Sequence, residues 1–259
     1  MIKTRHNVGA AVLSMAAVFA FTSQADAAPI NHGDFAGATV MFLDVTEDSG
    51  TDPLPPALYG APTVSGDSLD FNPVSFNSFS TGAAGTDITD GTLTMMLMST
   101  PGNFIDKVFF DEAGDFTLTG LSGDAFASVT ATFFLDVLEV DGVAINPLNI
   151  TTAMVFTPSA GDWSLSADGP GPLVNGTWSG SVLVDIEQAL IDNSIPYVVG
   201  ATKVSVTFDN TLTTLSEAGT SAFIAKKDVG GVGITVTPEP ASLGLLALGA
   251  LAVMGRRNA

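Results

Sequence analysis

The chain has 259 residues, of which 27 are Asp or Glu and 8 are Lys or Arg, giving a formal net charge of −19, and it contains no cysteine. Disulfides and cysteine-ligated metals are therefore excluded, and so acidic a surface has the wrong sign for phosphate, so no nucleic-acid partner is expected. Hydrophobic residues make up 46% of the chain, enough for a core, and its 27 Gly and 14 Pro stay below the share that marks low-complexity disorder.

Residues 1–27 divide into a basic head (Lys3, Arg5), an apolar run from Val8 to Phe21 and the small-residue tripeptide Ala25-Asp26-Ala27. This is the layout of a secretory signal peptide, with cleavage expected after Ala27, and the run falls short of the roughly 20 residues that a membrane span needs. Residues 28–237 keep 25 of the acids, all but Asp26 and Glu239, and their only cations are Lys107, Lys203, Lys226 and Lys227. Length and pattern predict one secreted all-β domain there, an antiparallel β-sandwich-like fold with one short helix.

Period-2 alternation is clear in Lys203 to Asp209, where Val204, Val206 and Phe208 share a face, and similar strands are expected at Thr92 to Met98, Asp115 to Thr119, Thr130 to Val140 and Trp178 to Val184. Asp141-Gly142 marks a hairpin turn. Further turns are expected at Ser65-Gly66-Asp67, Glu112-Ala113-Gly114-Asp115, Leu121-Ser122-Gly123-Asp124 and Glu217-Ala218-Gly219. Thr157 to Leu173, rich in Pro and Gly, reads as a domain boundary or a long sandwich loop. The single helix starts at Asp185, with Gln188 three residues on as in a capping box, and ends before Pro196.

The last 22 residues, 238–259, begin with Pro238-Glu239-Pro240, continue through an all-apolar run from Leu243 to Gly255, and end with Arg256-Arg257 near the terminus. The prolines hold the peptide extended. The apolar run, as a helix rising about 1.5 Å per residue, would cover about 20 Å of a hydrocarbon core near 30 Å, which suits transient membrane insertion better than a permanent anchor. The arginine pair is expected to stay on the cytoplasmic side. This tail resembles the PEP-CTERM sorting signal of Gram-negative bacteria. The resemblance implies that Pro238, Glu239 and Pro240 are the recognition motif and that Arg256 and Arg257 are the basic stop. It also implies an exosortase, a membrane-embedded processing enzyme, as partner, with export to the cell surface or exterior, often where exopolysaccharide is made.

Chemistry-bearing residues in the body are sparse. His32 is its only imidazole, and its place near the cleaved end predicts an exposed residue rather than a general base. Without a nucleophile–base pair, no enzyme is expected. No cofactor is expected, with calcium the one candidate ion, held by Asp111-Glu112 with Asp115, by Asp136, Glu139 and Asp141, or by Asp209-Asn210 with Glu217; none of these has EF-hand spacing. Lys226-Lys227-Asp228 reads as a surface basic patch paired with neighbouring carboxylates. Threonine pairs such as Thr92/Thr94 and Thr117/Thr119 read as the wet faces of strands. The function that follows is a cell-envelope or extracellular-matrix protein of structural or adhesive type. The alternative is a calcium-assisted exopolysaccharide-binding module with Trp163 or Trp178 as a stacking face, and behind it stands a hydrolase using two carboxylates.

Overall fold

The computed structural model describes residues 28–169, 171–227 and 232–240. In chain order the strands are β1 (Ile30–Ala36), β2 (Val40–Ser49), β3 (Thr63–Ser65), β4 (Ser68–Phe71), β5 (Asn77–Thr81), β6 (Gly85–Ser99), β7 (Asn103–Gly120) and β8 (Ala125–Val140). They continue with β9 (Val143–Ala153), β10 (Val155–Thr157), β11 (Asp162–Ser164), β12 (Leu173–Asp185), helix α1 (Ile186–Asp192), β13 (Ala201–Ser216), β14 (Thr220–Lys226) and β15 (Val232–Pro240).

All pairings are antiparallel and they form two layers. One runs β1-β2-β6-β13-β8-β9, with β11 beside β8. The other runs β3-β4-β15-β7-β12-β10, with β14 taking over from β15 along the second half of β7 and β5 outside β14. Among the described residues one bridge, Ala201 to Ile105, joins the layers, so the sheet curls upon itself into a sandwich-like body. The all-β architecture with one short helix is therefore as the alternation predicts.

The core lies between the layers because each long strand turns alternate side chains inward. Along β13 the inward row is Val204, Val206, Phe208, Asn210 and Leu212; along β7 it is Val108, Phe110, Glu112, Gly114, Phe116 and Leu118. Phe110 of one layer stacks on Phe208 of the other at 4.2 Å and meets Phe133 at 5.5 Å. Thr92, Thr94, Thr117 and Thr119 lie on the partly wet opposite faces.

The Asp141-Gly142 turn joins β8 to β9 with both residues at positive φ, 54° and 74°, as a two-residue hairpin turn of this kind requires. Helix α1 starts as expected, with Asp185 Oδ1 accepting the Gln188 N–H at 2.9 Å. The Gln188 side chain, however, donates forward to Asp192 instead of back to the cap. Glu112-Ala113-Gly114-Asp115 is not a turn, because β7 runs straight through it. Gly114 is there for close approach: a Cβ would collide with the Ala225 carbonyl oxygen and the Trp178 indole. The segment 157–173 folds back on the sandwich, where β11 pairs with β8 and Trp163 stacks on Phe116 at 4.2 Å. Residues 1–27 and 241–259 lie outside the described residues, among them Ala25, Ala27, Arg256, Arg257 and the apolar run of the tail.

Candidate functional site

Three inward rows break their own pattern at one place. Glu112 follows Phe110 on β7, Asn210 follows Phe208 on β13, and Lys226 follows Ala222 and Ile224 on β14. Each occupies a position that the alternation would give to an apolar side chain, and all three are buried, with 1%, 0% and 2% of their surface exposed. They converge from both layers. Asn210 Nδ2 donates to Glu112 Oε1 at 2.7 Å and Oε2 at 2.8 Å, and Lys226 Nζ donates to the same Oε2. One carboxylate oxygen thus receives both an amine and an amide nitrogen.

The walls are aromatic. Lys226 Nζ stands 4.8 Å from the Phe76 ring centre, and 5.7, 5.8 and 5.9 Å from those of Phe208, Trp178 and Tyr59. Such faces stabilise a cation. The end of β14 is pinned on both sides, since the Lys226 N–H donates to the Phe76 carbonyl and the Lys227 N–H to the Ala113 carbonyl. Burial pushes the Lys226 ammonium below the ordinary lysine range, while Glu112 opposes that shift by charge and hydrogen bond. Tyr59 is pushed the other way, by burial first and then by Glu112, and its hydroxyl donates to the Gly91 carbonyl at 3.0 Å. Among the described residues the buried Asn210 Oδ1 atom has no hydrogen-bond partner.

Lys226 is therefore not part of a surface basic patch: strand alternation turns it inward, and only Lys227 remains outside, 3.6 Å from Asp115. His32 is not exposed either. Its side chain is 8% exposed, with Nε2 lying 3.5 Å from Glu47. Glu47, wholly buried, accepts the backbone N–H groups of Leu58, Tyr59 and Gly60 at 2.8 to 3.0 Å and so fastens the loop after β2.

The three acidic sets do not gather around a common point, and among the described residues no group of three or more His, Asp or Glu is placed to hold a metal ion. The reason is again alternation. Asp111 and Glu112, and likewise Asp209 and Asn210, are consecutive strand residues facing opposite ways. Asp136 accepts from Asn149, Glu139 lies 3.6 Å from Lys203, and Glu217 accepts the Asp124 N–H at 2.9 Å. Asp141 accepts the N–H groups of Val198, Val199 and Gly200, which hold it below the ordinary carboxylate range although burial acts the other way.

Trp163 and Trp178 are each 2% exposed and offer no flat face to solvent. Trp178 does border a cleft of about 610 Å³, lined also by Gly114, Asp115, Pro158, Ser179 and Lys227. The Pro238-Glu239-Pro240 motif forms the end of β15, paired with Ile105, Phe104 and Asn103 of β7. It is extended, as the prolines predict. Strand β4 covers β15 only from Val232 to Thr235, so the prolines, which have no N–H to donate, fall where that partner has ended.

Residues 236–258 match the PEP-CTERM protein-sorting motif. The chain thus carries a signal that implies export, sorting to the cell surface and processing by an exosortase. No curated protein matches the sequence. Among solved structures, the chain is similar at 10% identity to TmCBM61 in complex with beta-1,4-galactotriose, with 74% of this chain and 82% of that one covered and a TM-score of 0.18. It is also similar, at 10% identity, to the GH31 alpha-xylosidase Xac1773 from Xanthomonas citri, with 78% and 23% covered and a TM-score of 0.09. TM-scores this low bear on neither fold nor ligand.

Proposed function

We propose that this protein is a non-catalytic structural or adhesive component of the cell envelope or extracellular matrix. The observation that carries the reading is the sorting motif at the end of the final strand, which directs an acidic all-β body out of the cytoplasm. The body supports it with a buried carboxylate spent on architecture: Glu47 fastens the loop after β2 through the N–H groups of Leu58, Tyr59 and Gly60. In a host with an exosortase, fractionation is expected to recover the body at the surface or in the medium without its tail. Intact chain held in the cytoplasm would overturn the reading.

A second reading, an exopolysaccharide-binding module, is favoured by the cleft beside Trp178, where Asp115 and Lys227 offer charged hydrogen-bonding groups at the rim. Retention of the protein on the host's exopolysaccharide, compared with and without a calcium chelator, separates the two. Retention lost in Asp115→Ala and Lys227→Ala favours the cleft, and no retention in either condition leaves the structural reading.

A further inference from the structure

We propose that Lys226 and Asn210 are joined by a self-formed amide bond, made with Glu112 as proton carrier, which ties the two layers of the sandwich covalently. The inference is independent of the sorting route. It rests on three side chains from three strands that meet in an apolar, aromatic-walled space where each alone is a costly intruder.

The geometry is that of a reactant pair held on a shared base. Glu112 Oε2 contacts both the Lys226 amine and the Asn210 amide nitrogen, so the nucleophile and the leaving group sit on one oxygen, and neighbouring backbone bonds hold β14 in place. Burial favours the uncharged amine, which is the nucleophilic form. The chemistry balances with nothing added. The Lys226 ammonium gives a proton to the Glu112 carboxylate, and the free amine attacks the Asn210 carbonyl carbon, Cγ. The new C–N bond forms, the second amine proton passes through the same carboxyl group to Nδ2, and the Cγ–Nδ2 bond breaks. Ammonia leaves the site uncharged and takes up a proton from water outside, while the proton that Lys226 gave up stays on Glu112. Glu112 thus ends as a neutral carboxyl group, and no oxidant, nucleotide or enzyme takes part.

The product removes two burdens at once. It replaces a buried ion pair by a neutral amide, and it gives a chain with no cysteine the covalent reinforcement that exported domains commonly draw from disulfides. Sequentially adjacent β13 and β14 belong to opposite layers, so the bond crosses the core instead of reinforcing one sheet.

The test is mass spectrometry of the purified full chain, intact and after protease digestion. Expected are a mass below the sequence value by one ammonia and a branched peptide joining the Asn210 segment to the Lys226 segment. A mass equal to the sequence value, with Lys226 recovered in a linear peptide, would overturn the proposal. Glu112→Gln and Lys226→Arg are both expected to lose the branched peptide, and Lys226→Arg keeps a buried cation should Glu112→Gln fail to fold. An ammonia loss that persists in Lys226→Arg would mean ring closure at Asn210 alone and would also overturn it. A branched peptide that forms unchanged in folded Glu112→Gln would remove Glu112 from its role.

Discussion

Phe208 and Asn210 are neighbours on the same inward row of β13, and Phe110 and Glu112 stand in the same relation on β7, yet the two places are held by opposite means. At the first, Phe110, Phe133 and Phe208 interlock across the layers by area and shape. At the second, a few ångströms along, an amine, an amide and a carboxylate meet inside aromatic walls. The apolar place is non-directional and forgiving, because any residue of the right volume restores most of what a substitution removes. The polar place is all or nothing, since each group is tolerable only while the others are there.

The largest expected effect breaks that dependence. Lys226→Met strands a buried carboxylate and is expected to lower stability by about 3–5 kcal/mol, read from the midpoint of urea unfolding. Replacing Lys226, Glu112 and Asn210 together by apolar residues of similar volume is expected to recover the share of the loss that the stranded charge causes, and not the share that the missing covalent tie causes. A triple variant as unstable as the single one would refute the coupling.

Elsewhere in the apolar core the response is graded instead. Leu97, wholly buried on β6, is expected to cost about 3 kcal/mol as Leu97→Ala and less than about 1.5 kcal/mol as the volume-conserving Leu97→Met. Equal losses from both, measured the same way, would mean that the aliphatic packing is as exacting as the polar cluster.

The smallest effect lies at the rim and depends on pH. The Gln188 N–H, followed by Lys107, holds Asp185 below the ordinary carboxylate range. A carboxylate lowered on folding adds stability above its unfolded value and loses it as pH falls through the folded one. Asp185→Ala is expected to cost about 1 kcal/mol at neutral pH and to approach the parent protein in stability at strongly acid pH. An acid-independent difference in melting temperature would show that the cap acts through shape alone.

The sequence makes the first kind of place legible and hides the second. Val204, Val206 and Phe208 announce both the strand and its inward face, and the Asp141-Gly142 hairpin and the Asp185 cap follow from local chemistry that needs no partner. Asn210, Glu112 and Lys226 are polar, and polar residues at strand positions ordinarily face water, so Lys226 reads as a surface cation beside Lys227. The available signal was parity: each sits in step with buried apolar neighbours two residues away. Parity identifies a buried polar residue but not its companions, since their meeting depends on the register of β7, β13 and β14. Gly114 misleads for a related reason. Its small size serves the Trp178 ring from another strand, and within its own segment it resembles a turn.

Lys226 is also the last residue of β14, and only residues 227–237 separate it from Pro238. Tension applied to the tail along β15 would first load that strand in shear against β7, from Pro240 opposite Asn103 back to Val232 opposite Glu112, so many bonds resist together. Should that strand yield, the pull reaches Lys226 and, through the amide tie, passes directly to Asn210 in the middle of β13. The stretch between them then bears no load. A protein held by its C-terminal end would be gripped at the centre of its far layer, and the force needed to extend it would be set by covalent bonds before the rest of the fold was drawn upon.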